Sequence, residues 1–346
     1  MSGKYRRPRT PDGLAVTPAF TEITQISVIT RDTDAMVDAL AAALHPGSFK
    51  VLSMTAPELF DRLYDGEPSD WSIRAGLTWI GDMQLEIIQP LTGRTVFGDF
   101  LEARGGRPGV EHIYLDRRTG SLTDAITLLA EAGFPWRQEA HMNAAGKLGW
   151  MPLPAMPGFM ARKHGARFGY TSTQGTLKVD VELARFPPGV SQRLALRAAI
   201  PEKWVPAGDD RHFESMPADT ILRDIDAPYV VGHSMDALLA HWGRLTDRAP
   251  EVVPYDDDAL PGRGRVARVG FNTTSLFLVE PEAGMVADVL ERNGEGVGLV
   301  RARPAGSLGD AVPALEARGW AVRVVGEGAG ATHPDVPFAL WLTESP

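Results

Sequence analysis

Two stretches of this chain, 186 residues apart, share one frame. Gly120-Ser121-Leu122-Thr123-Asp124-Ala125 recurs as Gly306-Ser307-Leu308-Gly309-Asp310-Ala311. The match continues without a gap: Leu129 meets Leu315, Gly133 meets Gly319, and Phe134 meets Trp320. Each copy reads as a helix with a serine cap at its start and a glycine stop at its end. Each is preceded by a short β-type run, Val110–Leu115 in one case and Gly296–Arg301 in the other. Each is followed by further strands. A repeat this long should be sought before any fold is assigned, and it points to a duplicated unit. The bland alternative is two unrelated helices that share common capping residues.

The rest of the chain follows the same order. Residues 1–20 carry Pro8, Pro11 and Pro18 and read as an extended arm. Ile23–Ile29 alternates as a strand, and Arg31–Asp34 turns into a helix over Ala35–Leu44. A polar, partly helical excursion to Asp70 leads to strands Trp71–Trp79 and Met83–Gln89, joined at Gly81-Asp82. After Val110–Leu115 and the Ser121–Ala132 helix comes a long excursion, Pro135–Lys163. Strands Ala166–Ser172 and Leu177–Ala184 then close the second unit. Val190–Ala199 has helical spacing, and the charged stretch to Asp226 reads as a linker. Strand, helix and strand spacing returns twice more before the end. The expected organisation is an arm (1–20), a module pair (21–187), a linker (188–226) and a second module pair (227–346). The expected class is α+β, with four βαβββ modules in two paired-module domains.

Composition excludes several roles. The 346 residues are 44% hydrophobic and 23% charged, enough for two well-formed cores. A net charge of −9 makes nucleic acid or an anionic membrane a poor principal partner. There is no cysteine, which removes disulfides, thiolate metal sites and cysteine nucleophiles. The basic start, Lys4–Arg9, lacks the apolar run of a signal peptide. No apolar run approaches the roughly 18 residues of a membrane span. A cytoplasmic protein acting on a small molecule is expected, with no nucleic acid or membrane partner and a homodimer left open.

Four polar residues sit in the opening and closing strands of the first two modules: Gln25, Glu86, His112 and Glu182. A carboxylate inside Leu85-Glu86-Ile87-Ile88 is costly to bury without a partner. Strand alternation aims one residue at a cavity while its neighbours face the core. One imidazole, two carboxylates and an amide oxygen form a donor set that suits one divalent ion: Zn²⁺, Mn²⁺, Co²⁺, Ni²⁺ or Fe²⁺. Each residue also has a plain reading. Glu86 fits a solvent face with Gln84, Glu182 fits an exposed polar face with Lys178 and Asp180, and His112 fits a satisfied core histidine. Spacing alone does not decide.

The motifs QISVITRDTDAM, GVEHIYLD, LEIIQP and VELARFP, in that order, resemble the vicinal oxygen chelate superfamily. That superfamily includes glyoxalase I, methylmalonyl-CoA epimerase, bleomycin-resistance proteins and extradiol dioxygenases. The resemblance covers 21–187 well and 227–346 loosely. It implies paired βαβββ units with a metal in the cleft between them, held by Gln25, Glu86, His112 and Glu182. It also implies that Glu182 or Glu86 doubles as a catalytic base. In the second pair the corresponding positions are apolar or small: Ala227, Phe277, Gly298 and either Leu340 or Trp341. No metal site is expected there. Arg74, His164 and Arg167 are candidate substrate contacts. Trp150, Met151, Met156, Phe159 and Met160 could line a pocket or simply pack. The expected function is a metal-dependent isomerase, epimerase or lyase that moves a proton α to a carbonyl, on a cyclitol or sugar-like ketone by analogy of size. The rivals are a non-haem Fe(II) ring-cleaving dioxygenase and a non-catalytic binder of small molecules.

Overall fold

The computed structural model describes residues 20–44, 46–117, 121–143, 146–148, 151–206, 217–246, 249–255, 260 and 262–344. The expected arm, apart from Phe20, lies outside these residues, as do Gly120 and Trp150.

Strand, helix and three strands follow one another four times. The first unit holds Phe20–Ile29, helix Thr33–Leu44, Phe49–Met54, Ser72–Ile80 and Met83–Thr92. The second holds Gly109–Arg117, helix Leu122–Glu131, Trp136–Met142, Ala166–Thr171 and Asp180–Arg185. The third runs from Leu222–Val231 through helix Met235–Leu245 to Ser275–Ala283. The fourth runs from Gly296–Pro304 through helix Leu308–Glu316 to Ala339–Thr343. The repeated serines are the caps: Ser121 accepts from the Asp124 amide and Ser307 from the Asp310 amide. We propose the division at 21–187 and 227–346 on this element order, with the strand Leu222–Val231 reaching back into the connecting stretch.

Pairing explains how two units make one cup. The opening strands of the first two units run antiparallel, with Gln25 opposite Tyr114 and Ser27 opposite His112. Each is flanked on its other side by its own unit's closing strand, in parallel: Ser27 opposite Glu86, and Tyr114 opposite Glu182. The second half repeats the plan, with Leu222–Val231 against Gly296–Pro304 and each beside its own closing strand. A single antiparallel pair, Val110 and Val297, joins the two sheets.

Alternation along these strands sorts the core. Leu85, Ile87, Ile113 and Leu115 face the helices, and one apolar cluster spans the helix layers of both halves. Trp320 donates to the Ala43 carbonyl and Trp242 to the Leu177 carbonyl within that shared layer. Ile88, Tyr114, Phe168 and Tyr170 face into the first cup. Tyr229, Phe277, Leu299 and Trp341 face into the second.

Three stretches differ from the sequence expectation. The excursion to Asp70 is a hairpin of strands Leu59–Tyr64 and Glu67–Pro68 rather than partly helical. Val96–Ala103 is a helix, capped by Thr95, whose Val96, Phe97, Phe100 and Leu101 are buried at helical spacing. Met285–Asn293, between Gly284 and Gly294, is the matching helix of the second half. Met151, Phe159 and Met160, considered as pocket lining, are exposed, Phe159 by 75%. Among the described residues no helix is long and apolar enough to cross a membrane.

Sheet and helix meet closely at Gly76, where an added Cβ would strike Val37 Cγ2 of the Thr33–Leu44 helix. Gly76→Val is therefore predicted to destabilise by about 1–3 kcal/mol through overpacking. Gly158→Ala, at a helix start with nothing within 4 Å of the new carbon, should be neutral or slightly stabilising. Urea unfolding of both variants checks the contrast.

Candidate metal centre

Gln25, Glu86, His112 and Glu182 converge. Gln25 Nε2 lies 2.6 Å from Glu86 Oε2, 3.1 Å from Glu182 Oε2 and 3.3 Å from His112 Nε2. His112 Nε2 is 3.3 Å from Glu86 Oε2 and 3.3 Å from Glu182 Oε2. The ligand atoms of Glu86, His112 and Glu182 all lie within 4.8 Å of one another. All four residues are buried: His112 is 0% exposed, Gln25 2%, Glu182 7% and Glu86 8%. The plain readings of solvent-facing carboxylates therefore do not hold.

The strands place these groups for a simple reason. The two opening strands lie side by side at the floor of the cup, and the two closing strands flank them. Each contributes one polar side chain at the same depth. Phe97 and Tyr170 pack on the His112 ring, with centroids 5.8 and 4.8 Å away. Water is thereby kept from that side of the ring.

Glu111, which the sequence reading passed over, completes the arrangement. Neighbours in a regular strand point to opposite faces. Here Ser27 faces His112 and Val28 faces Val110, so Glu111 is the extra residue of a bulge. The bulge lets the two side chains meet, with Glu111 Oε2 2.7 Å from His112 Nδ1. This contact leaves Nε2 turned to the centre, the arrangement in which a carboxylate orients a metal-binding imidazole. Asp180 adjoins Glu111 and accepts from the backbone amides of Thr173 and Gln174. The signal available in the sequence was two consecutive polar residues, Glu111 and His112, in an otherwise apolar strand.

Electrostatics follow from burial. Desolvation alone lowers His112, but hydrogen bonds to Glu111, Glu182 and Glu86 outweigh it and hold the ring well above its ordinary value. Burial raises the Glu182 carboxyl against the opposing pull of His112. Burial, then the charge of Glu111, pushes Asp180 well above the carboxylate range. Three buried carboxyl groups, those of Glu86, Glu111 and Glu182, thus meet one imidazole, with Asp180 beside Glu111. Among the described residues their ion pairs run to His112 alone. That excess of negative charge, with the ligand atoms of Glu86, His112 and Glu182 at one point, fits one divalent cation. The metal's identity is open among those that accept nitrogen and oxygen donors.

The candidate substrate contacts stand elsewhere. Arg74 lies on the helix side of the sheet, 2.9 Å from Asp34 and 2.5 Å from Glu202. Arg167 is held by Glu139 at 2.7 Å and by Thr123. His164 is exposed at the end of the Gly158–His164 helix. None of the three touches the centre. Two surface cavities of about 540 and 610 Å³ are lined by Arg104, Arg107 and Arg292 and by Phe60, Asp61 and Arg62, respectively. Neither includes a member of the buried group. Over the cup lies the helix Gln192–Ala198, with Leu196 in the inner apolar cluster.

The second cup keeps the frame without the ligands. Pairing sets Tyr229 opposite both Phe277 and Leu299, as Ser27 stands opposite Glu86 and His112. The counterpart of His112 is therefore Leu299, not Gly298, which is the skipped residue of the equivalent bulge. Trp341 lies two residues past the partner of Leu299 and so takes the place of Glu182. Ala227, Phe277, Leu299 and Trp341 all belong to one buried apolar cluster.

The chain's overall shape matches known structures. It is similar to a triple mutant of 4-hydroxymandelate synthase from Streptomyces coelicolor, at 12% identity and a TM-score of 0.51, over 94% of this chain and 92% of that one. It is similar to a fusion of a xylose isomerase-like TIM barrel with 4-hydroxyphenylpyruvate dioxygenase, at 12% identity and a TM-score of 0.51. That match covers 97% of this chain but only 51% of the fusion protein. Methylmalonyl-CoA epimerase from Mycobacterium tuberculosis aligns at 17% identity over 53% of this chain and 97% of its own, with a TM-score of 0.31. No protein-family model and no curated protein sequence matches the chain. At these identities the likeness is one of fold: the chain shares the paired βαβββ fold of these structures, the fold that its motif order led one to expect.

Two predictions follow from the positions of Glu111 and Arg74. Glu111→Ala should weaken metal binding by about 10- to 100-fold, the usual effect of losing the partner that orients a ligand. Glu111→Gln, which still accepts from Nδ1–H, should recover most of it; competition with a chromogenic chelator measures both. Arg74→Gln should leave metal affinity unchanged and cost less than about 1 kcal/mol of stability, as exposed ion pairs do. The Arg74 hydrogen bond holds Asp34 below its ordinary value. Burial raises Glu202, but bonds from Arg74 and Ser53 outweigh it and leave its carboxyl low. Lowered carboxyls stabilise above their unfolded values, and that stability is lost as pH falls through the lowered ones. The difference between wild type and Arg74→Gln should therefore be full at neutral pH and close in acid.

Proposed function

We propose that this protein is a metal-dependent enzyme that isomerises, epimerises or cleaves its substrate by proton transfer α to a carbonyl. The observation that carries this reading is the meeting of one imidazole, two carboxylates and one amide at a single buried point. Gln25, Glu86, His112 and Glu182 would hold the ion. Bound there, a divalent cation supplies Lewis acidity toward a carbonyl oxygen, worth several kcal/mol of charge stabilisation. Glu182 and Glu86 carry the proton, since both carboxylates sit at the centre and a base must lie within hydrogen-bond reach of the proton it takes. Glu111 fixes the imidazole. Phe97 and Tyr170 keep the surroundings dry, which strengthens each charge interaction. A cyclitol or sugar-like ketone with adjacent oxygens suits a site of this kind.

A second reading is a ring-cleaving dioxygenase; the likeness in fold, over 97% of this chain, to a fusion protein containing a 4-hydroxyphenylpyruvate dioxygenase supports dioxygenase chemistry in general. Oxygen chemistry at non-haem iron commonly uses two histidines and one carboxylate, whereas His112 is the one histidine at this centre. A third, a non-catalytic binder, is opposed by the retention of four ligand-type side chains in one cup and their replacement in the other.

Protein purified without chelator and remetallated is expected to hold about one equivalent of metal per chain, and His112→Ala to hold none, as for a site whose ligands must all be in place. Deuterium from D₂O should enter the carbon next to the carbonyl of a candidate ketone, with no oxygen uptake. Oxygen consumption with a catechol or an aryl pyruvate would transfer the assignment to the dioxygenase. Loss of metal binding in wild type would leave the binder.

A further inference from the structure

Three side-chain amides form a chain that ends at the centre. Gln192 Nε2 donates to Gln25 Oε1 at 2.5 Å and to Gln84 Oε1 at 3.0 Å. Gln25 in turn directs Nε2 at Glu86 and Glu182. In this orientation the Gln25 amide nitrogen stands among the carboxylates as a donor, where a cation would repel it. An amide offers a cation its oxygen, not its NH₂.

Turning Gln25 to present Oε1 has a consequence for its neighbours. Nε2 of Gln25 would then face Nε2 of Gln192, two donors with nothing to accept. Gln192 must turn as well, which sets its Oε1 against Oε1 of Gln84. Gln84 must turn in its place, and the structure holds the atom that this requires. Gln84 Nε2 is buried and has no hydrogen-bond partner, and Gln84 is 0% exposed. An orphaned buried donor is costly. With all three amides turned, Gln192 Oε1 accepts from both Gln25 and Gln84, and that orphan is satisfied. Thr24, whose hydroxyl lies 3.5 Å from Gln192 Oε1, can donate in one state and accept in the other.

We infer that Gln192 is a positioning residue that sets which end of the Gln25 amide faces the metal, through a concerted turn of Gln25, Gln192 and Gln84. The inference rests on the metal-centre reading proposed above. Its physical setting is firm. The helix carrying Gln192 is fixed at its far end by Lys50, whose Nζ donates to the carbonyls of Leu196, Arg197 and Ala199 at 2.7, 3.0 and 2.8 Å. Arg193 holds its near end, stacked 4.2 Å over Trp79 and bonded to the Gly81 carbonyl. The amide of Gln192 is thus presented from a braced segment. Cation binding and the placement of this helix share one hydrogen-bonded chain.

The test is a double-mutant cycle read by metal affinity rather than by turnover. Calorimetric titration with Co²⁺ gives Kd for wild type, Gln192→Met, Gln25→Ala and the double variant. Gln192→Met is expected to weaken binding by about 10- to 100-fold in wild type, as losing a ligand's supporting partner does. It should have no effect once Gln25 is alanine, and the visible Co²⁺ spectrum of Gln192→Met should match that of Gln25→Ala. Unchanged affinity in Gln192→Met, or an equal loss in both backgrounds, overturns the inference. Wild-type affinity in His112→Ala would instead overturn the metal-centre reading, and the inference with it.

Discussion

Buried charge is the constraint on which the first half of this molecule turns. Glu86, Glu111, Asp180 and Glu182 are each 8% exposed or less, and His112 is wholly enclosed. Each uncompensated ion in such a place costs several kcal/mol. The His112 imidazole, in contact with three of the carboxylates, and the amide donor of Gln25 relieve part of that cost. A divalent ion relieves most of it, and the ligand atoms of Glu86, His112 and Glu182 already point to one spot. The apolar wall of Phe97, Phe168, Tyr170 and Trp71 around the group raises the penalty for leaving it unpaired.

Duplication supplies both the means and the comparison. Two βαβββ units place their opening strands back to back, so residues from four strands reach one floor. The later pair builds the same floor from Ala227, Phe277, Leu299 and Trp341, and closes it by packing. Tyr229 stacks on Phe277 at 4.8 Å where a carboxylate stands in the first cup. The scaffold therefore folds with or without polar side chains at these positions. The helix layers of both halves merge in one cluster, so the second half buttresses the first.

Much of this was legible in the chain. The order of strands and helices, the serine caps and the four converging residues Gln25, Glu86, His112 and Glu182 follow from alternation, from capping chemistry and from a resemblance in motif order. Other features depend on register and were hidden. Strict alternation separates Glu111 from His112, and only the bulge unites them. The strands match at an offset of 187 and the helices at 186, so a one-residue difference in the connection between them moves the counterpart of His112 from Gly298 to Leu299. Gln192 gave no local signal, because its role comes from a helix folding back over strands 108 and 167 residues away in sequence. Arg74 stands apart from the buried centre for a plain geometric reason: its strand turns it to the helix face, where Asp34 and Glu202 meet it.

The central claim is that Gln25, Glu86, His112 and Glu182 hold one ion. An anomalous-difference map from a Mn²⁺- or Zn²⁺-loaded crystal, collected at that metal's absorption edge, tests it most directly. The account predicts one peak per chain in the first cup, at roughly 2.0–2.2 Å from His112 Nε2 and a carboxylate oxygen of each glutamate, with Gln25 Oε1 turned toward it. An empty first cup in a loaded crystal, or a peak elsewhere on the chain alone, would contradict it.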